Sequence, residues 1–354
     1  MATEADTARR PINLGLYTPS QLVQTAFGIL LVGLLFFWIV VNFVKFPADS
    51  TQVLLIGATT GAIYALVALG YTLVYGILEL INFAHGDVFM LGGMISATFA
   101  VEVFNIGTGG GIGKWLLIFA TLLIAMGLCG LINTTVELIA YRPLRGAPRL
   151  VPLITAIGMS FILQNVGLAW KGPNFISVPN ILPHSKVFDI AGVSYTWNKL
   201  TVVIITVPVL IGLVYLVQNT RQGKAMRATA QDMDAAAMMG INVNRTISFT
   251  FLIAGMLAGA AGLLYALYVT NIRFDQGFQL GLIAFTAAVF GGIGNLPGAV
   301  LGALCIGLVQ SFNEGFNWHA PGSDWTQSIV SGVLILILVF RPEGLLGERT
   351  PEGA

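Results

Sequence analysis

Apolar residues run along this chain in long blocks separated by short polar stretches. A helix needs roughly 20 consecutive apolar residues to cross a bilayer, and ten apolar segments can be drawn here, not all long enough to cross fully. Eight of them stand apart: Leu22–Val44, Gln52–Leu78, Val88–Phe104, Trp115–Leu138, Leu150–Trp170, Lys199–Val217, Thr246–Thr270 and Trp325–Phe340. The ninth and tenth are the halves of Leu280–Phe312, which is interrupted at Gly291–Gly298. Each half is short for a full crossing, which predicts a discontinuous element. A second break lies at Ile81–Gly93, where INFAHG leads into a glycine-interrupted apolar run. Paired interruptions in two halves of a transporter point to an internal repeat around a central pathway. Thr246–Thr270 is rich in Gly and Ala, so it is expected to be buried among other helices.

Composition sharpens that picture. The 354 residues are 56% hydrophobic and 9% charged, with mean hydropathy +0.84. A soluble domain carries about a quarter charged residues. The predicted fold is therefore all-α: a polytopic membrane protein of eight to ten transmembrane segments. A net charge of +1 gives no sign of nucleic-acid binding. Cys129 and Cys305 each sit inside an apolar span and are read as small packing residues.

The positions of the charges set the topology, because Lys and Arg are retained on the cytoplasmic side. Arg9 and Arg10 place the amino terminus inside, and Leu22–Val44 is too long for a signal-peptide core. The loop carrying Arg142, Arg145 and Arg149, the segment carrying Arg221, Lys224, Arg227 and Arg245, and the end carrying Arg341 and Arg349 also fall inside. This predicts a cytoplasmic tail over 1–21, a membrane-spanning body over 22–346 and a cytoplasmic tail over 347–354. It also predicts an outer turn at Lys45–Thr51 and a long outer loop at 171–198.

The segment at 220–245 is the one long charged stretch held between two spans. Met226, Ala230, Met233 and Ala237 recur at helical spacing, and Gly240 sits where a helix would end. Such a helix shows a Met/Ala stripe suited to docking on another protein; an ordinary solvated loop helix fits the residues equally well.

Charged groups within the apolar spans are few: Glu79, His85, Asp87, Glu102 and Glu137. Glu102 and Glu137 lie near span ends and are expected to reach the interface. Glu79, Asn82, His85 and Asp87 surround one break; they line a path, form a latch, or lie at the inner water interface. No chain of carboxylates and histidines marks a proton-coupled carrier, and no Walker A loop, HExxH, GxSxG or Cys/His cluster is present. A pathway without an energy source needs passive flow or an engine supplied by a partner.

GAIYALVALGYTLVYGILELINFAHGDVFMLGG (61–93), RATAQDMDAAAMMGINVNRTISFTFLIAGMLAGAAGLL (227–264) and AFTAAVFGGIGNLPGAVLGALCIGLVQSF (284–312) resemble the permease subunits of ATP-driven (ABC) importers for branched-chain and other neutral amino acids. The likeness runs from about Gln52 to Leu346, and INFAHG followed by GGIGNLPGA is specific for the family. Urea and short-amide permeases look similar, and a stand-alone channel or secondary carrier is the alternative from another class.

The resemblance implies a bacterial inner-membrane protein that is not itself an enzyme. Its partners would be a second, homologous permease chain, two cytoplasmic ATP-binding subunits that hold ATP and Mg, an extracytoplasmic solute-binding protein, and membrane lipid. It places Asp234, Ala235, Ala236, Ala237, Gly240 and Ile241 on the ATPase-contacting segment, to which Ala230, Asp232, Met233 and Met238 are added as candidate coupling residues. Asn82, His85, Gly86, Asp87, Gly291, Gly292, Asn295 and Pro297 at the two breaks are the candidate pathway or gate residues. No cofactor or metal is expected on this chain.

Overall fold

The structure, a computed structural model, describes residues 19–107, 111–148, 150–182, 185–190, 192–341 and 343–347. Arg9, Arg10, Arg149 and Arg349, on which part of the expected topology rests, lie outside them. So do most of the amino-terminal tail and nearly all of the carboxyl-terminal one.

The chain divides into two units, residues 1–47 and 48–354. The first contains helix α1 (Pro19–Lys45). The second begins within α2 (Pro47–Leu78). Only Phe46 separates these helices, so the outer turn expected at Lys45–Thr51 is mostly helical. The sequence reason is Pro47: its fixed φ and missing N–H suit a first helical position.

Among the described residues, eight helices are long and apolar enough to cross a membrane. Besides α2 they are α3 (Ala84–Ala97) with its π-helical extension to Val103, α4 (Ile112–Val136) with its extension to Leu144, α5 (Leu150–Lys171) and α6 (Trp197–Asn219). The set is completed by α9 (Val243–Val269), α11 (Leu296–Gly315) and the 323–340 stretch containing α12 (Thr326–Phe340). The Val32–Lys45 part of α1 and the whole of α10 (Gln276–Gly291) are shorter apolar helical stretches. Between the spans, α7 (Arg221–Gln231) and α8 (Met233–Met238) form the 220–245 segment. The chain is an all-α, polytopic membrane protein. Phe119, Phe161, Ile211 and Leu338 expose large apolar side chains, the inverse of a water-facing surface.

Helix α9 is the buried centre, as its small residues predict. Ala254, Gly255, Ala258, Gly259, Ala260, Ala261 and Gly262 are all buried. Gly255 lies on the α4 backbone at Cys129 and Gly130, Gly259 on that at Ala125, and Gly262 on α3 at Phe89 and Gly93. A side chain at any of these points would hold the helices apart. Asn133 of α4 adds a 2.7 Å hydrogen bond to the Phe251 carbonyl of α9.

The interruption at 291–298 resolves into a helical hairpin. Helices α10 and α11 run antiparallel, with Gly298 on Gly291 and Gly302 on Ala287. The turn needs φ +105° at Gly292 and is closed by Asn295, whose Oδ1 accepts from Gly298 N at 3.0 Å.

The 171–198 loop has structure of its own. Strands β2 (Lys186–Ile190) and β3 (Val193–Thr196) form an antiparallel hairpin. Strand β1 (Ile176–Ser177) pairs with β4 (Asn271–Ile272), tying the loop to the chain just beyond α9.

Candidate functional site

At the first break, α3 begins at Ala84 rather than at the expected Val88, so His85, Gly86 and Asp87 form its first turn. All three are buried, as is Asn82. The His85 ring packs edge-on to Tyr71 of α2, with centroids 4.8 Å apart. Gly86 lies against Gly277 and Gly281 of α10, a backbone approach that needs glycine on both sides. Among the described residues, no group meets hydrogen-bond geometry with either His85 ring nitrogen or either Asp87 oxygen, though the Val67 backbone lies beside His85. Ser160 and Gln164 of α5 face the Asp87 carboxyl but bond one another, at 3.2 Å. Asn82 Oδ1 accepts from the Tyr141 hydroxyl at 2.8 Å. Glu79, grouped with these residues by sequence, is exposed and has φ +52°.

The second break opens on a cleft of about 500 Å³. Its walls are the end of α2 (Thr72, Leu73, Gly76, Ile77), the end of α6 (Val217, Gln218), one side of α7 (Met226, Arg227, Ala230) and the turn Ile293–Pro297. Asn295 and Pro297 thus line it, while Gly291 and Gly292 are buried behind. Both polar ends of Asn295 are engaged, since Nδ2 donates to the Leu346 carbonyl at 2.8 Å. The carboxyl-terminal segment is hooked over this turn: Leu345 N donates to Phe290 O at 2.8 Å and Leu346 N to Gly291 O at 3.0 Å. The two breaks therefore differ in construction. One starts a helix with no side-chain cap, at Phe83, whereas the other is capped and strapped.

The 220–245 segment departs from the expected single helix. Asp232 adopts an extended backbone (φ −157°, ψ 115°) and caps α8, its carboxylate accepting from Asp234 N and Ala235 N at 2.8 and 2.9 Å. Short acidic side chains compete for backbone donors in this way and favour caps over helix interiors. The Met/Ala stripe is consequently broken. Met226 is 3% exposed and turned inward, while Met238 and Met239 are 82% and 83% exposed on α8. Asp232, Met233, Asp234 and Ala237 are exposed beside them. Gly240 ends the unit at φ +82°, and Ile241 N returns to Ala236 O at 3.1 Å, a glycine-terminated helix end. Arg227 meanwhile donates to the carbonyls of Val217 and Gln218, holding α7 against the end of α6.

Glu137 corrects another expectation. It does not reach the interface but is fully buried, because α4 passes into a π-helical turn, Glu137–Tyr141, that turns it toward α9. There it pairs with Arg145 and accepts from Ser248 Oγ at 2.6 Å. Arg145 also donates to Asn244 Oδ1 at 2.5 Å. Burial lowers the Arg145 pKa, and Glu137 opposes that shift. Glu102 does lie at the surface, paired with Lys171 at 2.6 Å.

Residues 53–339 match the family described as branched-chain amino acid transport system, permease component. The chain is 39% identical to the high-affinity branched-chain amino acid transport system permease protein BraD of Pseudomonas aeruginosa, over 85% of this chain and 97% of that one. It is 36% identical to the corresponding protein LivH of Escherichia coli, over 84% and 95% respectively. The LivH of Salmonella typhimurium is 35% identical over 84% and 95%.

The chain belongs to the branched-chain amino acid transport permease family.

In this permease the sequence-singled residues separate into three places. Asn82, His85, Gly86 and Asp87 are sealed in the interior. Asn295 and Pro297 meet Ala230 at the cleft, a juxtaposition that spacing along the chain gives no hint of. Asp232 to Ile241 stand apart on α8 and its cap. Ser248 and Asn244 carry no expectation from the sequence, and Arg145 marks only the cytoplasmic side there. A carboxylate and an arginine eight residues apart across the end of a span were the available signal.

Proposed function

We propose that the chain is one permease subunit of an ATP-driven importer for branched-chain or other neutral amino acids. It forms half of the pathway beside a second, homologous permease chain. Two cytoplasmic ATP-binding subunits dock on the 220–245 segment, and an extracytoplasmic solute-binding protein delivers the solute. The observation that carries this reading is the likeness to BraD over 97% of that protein's length, which takes in both breaks and the α7–α8 segment.

The geometry supports the division of labour. Met238 and Met239 are almost wholly exposed at the end of a short, capped helix, and adaptable thioether side chains suit a protein contact. Of the two breaks only the α11 turn borders the cleft, beside Arg227, and a helix N-terminus there favours a solute carboxylate.

Reconstitution with the co-purified subunits tests the reading. Leucine uptake should require ATP and resist competition by urea. Uptake by this chain alone, with no ATP-binding subunit, would instead establish a channel or secondary carrier, and competition by urea a short-amide permease. Substituting His85 and Asn295 separately tests the path; unchanged uptake in both would remove the breaks from it.

A further inference from the structure

The π-helical turn at the end of α4 touches two regions at once. A π turn carries an extra residue relative to the α-helix, and such turns occur frequently at functional sites. Here Arg142 N bonds Glu137 O across the turn, and its two ends, Glu137 and Tyr141, both meet α9 but bond different polar partners. Glu137 faces the foot of α9, where Ser248 donates to it and Arg145 links it to Asn244. Asn244 lies two residues beyond Asn242, which caps α9 by accepting from Arg245 N at 3.0 Å and directly follows the Gly240–Ile241 end of α8. Tyr141 packs its ring on Phe251, further along α9, and its hydroxyl donates to Asn82 Oδ1 at 2.8 Å. Asn82 in turn receives the backbone N–H of His85 on its carbonyl at 3.1 Å, which anchors the first turn of α3.

We propose that the Glu137–Tyr141 turn transmits displacement of the 220–245 segment to Asn82 and the start of α3, with Glu137 and Tyr141 as positioning residues for transport. This rests on the reading that ATP-binding subunits act on that segment. Between them, Asn133 and the glycine contacts bind α4 to α9, so a push at the foot of α9 carries the turn with it. The Tyr141 hydroxyl then moves Asn82, whose Nδ2 has no competing partner among the described residues. A link of this kind consists of hydrogen bonds that a conservative substitution removes without emptying the core.

The test uses the assembled importer in proteoliposomes, reading leucine transported per ATP hydrolysed. Tyr141→Phe keeps the ring against Phe251 and removes only the donor. It should lower the ratio about threefold or more while hydrolysis continues. Ser248→Ala should do the same from the other end. Sites without a shared partner normally act independently, so independent effects would multiply in the double variant; a single transmission line leaves it no worse than either parent. An unchanged ratio in Tyr141→Phe, or multiplied effects, overturns the inference while the transport reading stands. A wild-type complex lacking ATP-dependent uptake overturns both.

Discussion

The imidazole of His85 rests directly on the backbone of Gly70, so closely that a Cβ there would overlap Nε2 and Cε1. The α2–α3 crossing therefore depends on one missing methyl group. Forcing extra volume into a packed core costs about 1–3 kcal/mol. Gly70→Ala is expected to lower the unfolding temperature in lipid nanodiscs and to reduce uptake. Gly127→Ala, which meets open space, should leave both intact. Equal behaviour of the two variants would show that His85 is not held there.

Gly240 gives a different kind of test, since nothing lies within 4 Å of where its side chain would be. Only its φ of +82° resists substitution, and left-handed backbone costs a β-branched residue about 1–2 kcal/mol while Asn tolerates it. Gly240→Val should uncouple ATP hydrolysis from uptake with insertion preserved, and Gly240→Asn should retain coupling. Ala237→Asp, on the exposed side of α8, should uncouple without strain. The ratio of solute moved to ATP hydrolysed distinguishes all three.

Asn295 holds two structures with one side chain. Asn295→Ala loses the α11 cap, a change worth about 0.5–2 kcal/mol, together with the bond to Leu346. Asn295→Asp keeps the cap oxygen but replaces the donor that holds Leu346. Thermal unfolding should fall for Ala more than for Asp. Limited proteolysis should release the carboxyl-terminal segment in both.

The two ion pairs should respond unequally. Removing one member of an enclosed pair leaves a charge uncompensated, so Glu137→Ala is expected to destabilise by up to about 3 kcal/mol, moderated because the Arg145 side chain keeps 18% exposure. Glu102→Ala breaks a solvated pair, for which about 0–1 kcal/mol is usual. Denaturation midpoints of the two variants in the same detergent measure the difference.

The spans were legible because lipid demands long apolar runs and that demand is local. The burial of α9 was legible too, since Gly255, Gly259 and Gly262 have no use on a lipid-facing surface. What stayed hidden depends on capping and on contacts between distant segments. Asp232 reads as an interior residue of a helix until its carboxylate is seen taking two backbone donors. Glu137 reads as interfacial unless the extra residue of the π turn, which no periodicity reveals, is allowed for. The meeting of Ala230 with Asn295 joins positions 65 residues apart (295 − 230), and the strap over the hairpin uses backbone groups that every residue possesses.

Helix α9 meets its neighbours through main-chain atoms at Gly255, Gly259 and Gly262 rather than through side chains. Rotamers are what ordinarily absorb small shifts between packed helices, and at these three points no α9 side chain stands between the backbones to yield. The 27-residue rod, about 40 Å long at the α-helical rise, is thus mechanically stiff in its socket. Its far end leads into β4, which pairs with β1 of the outer loop, so a displacement of its base would be felt at that loop.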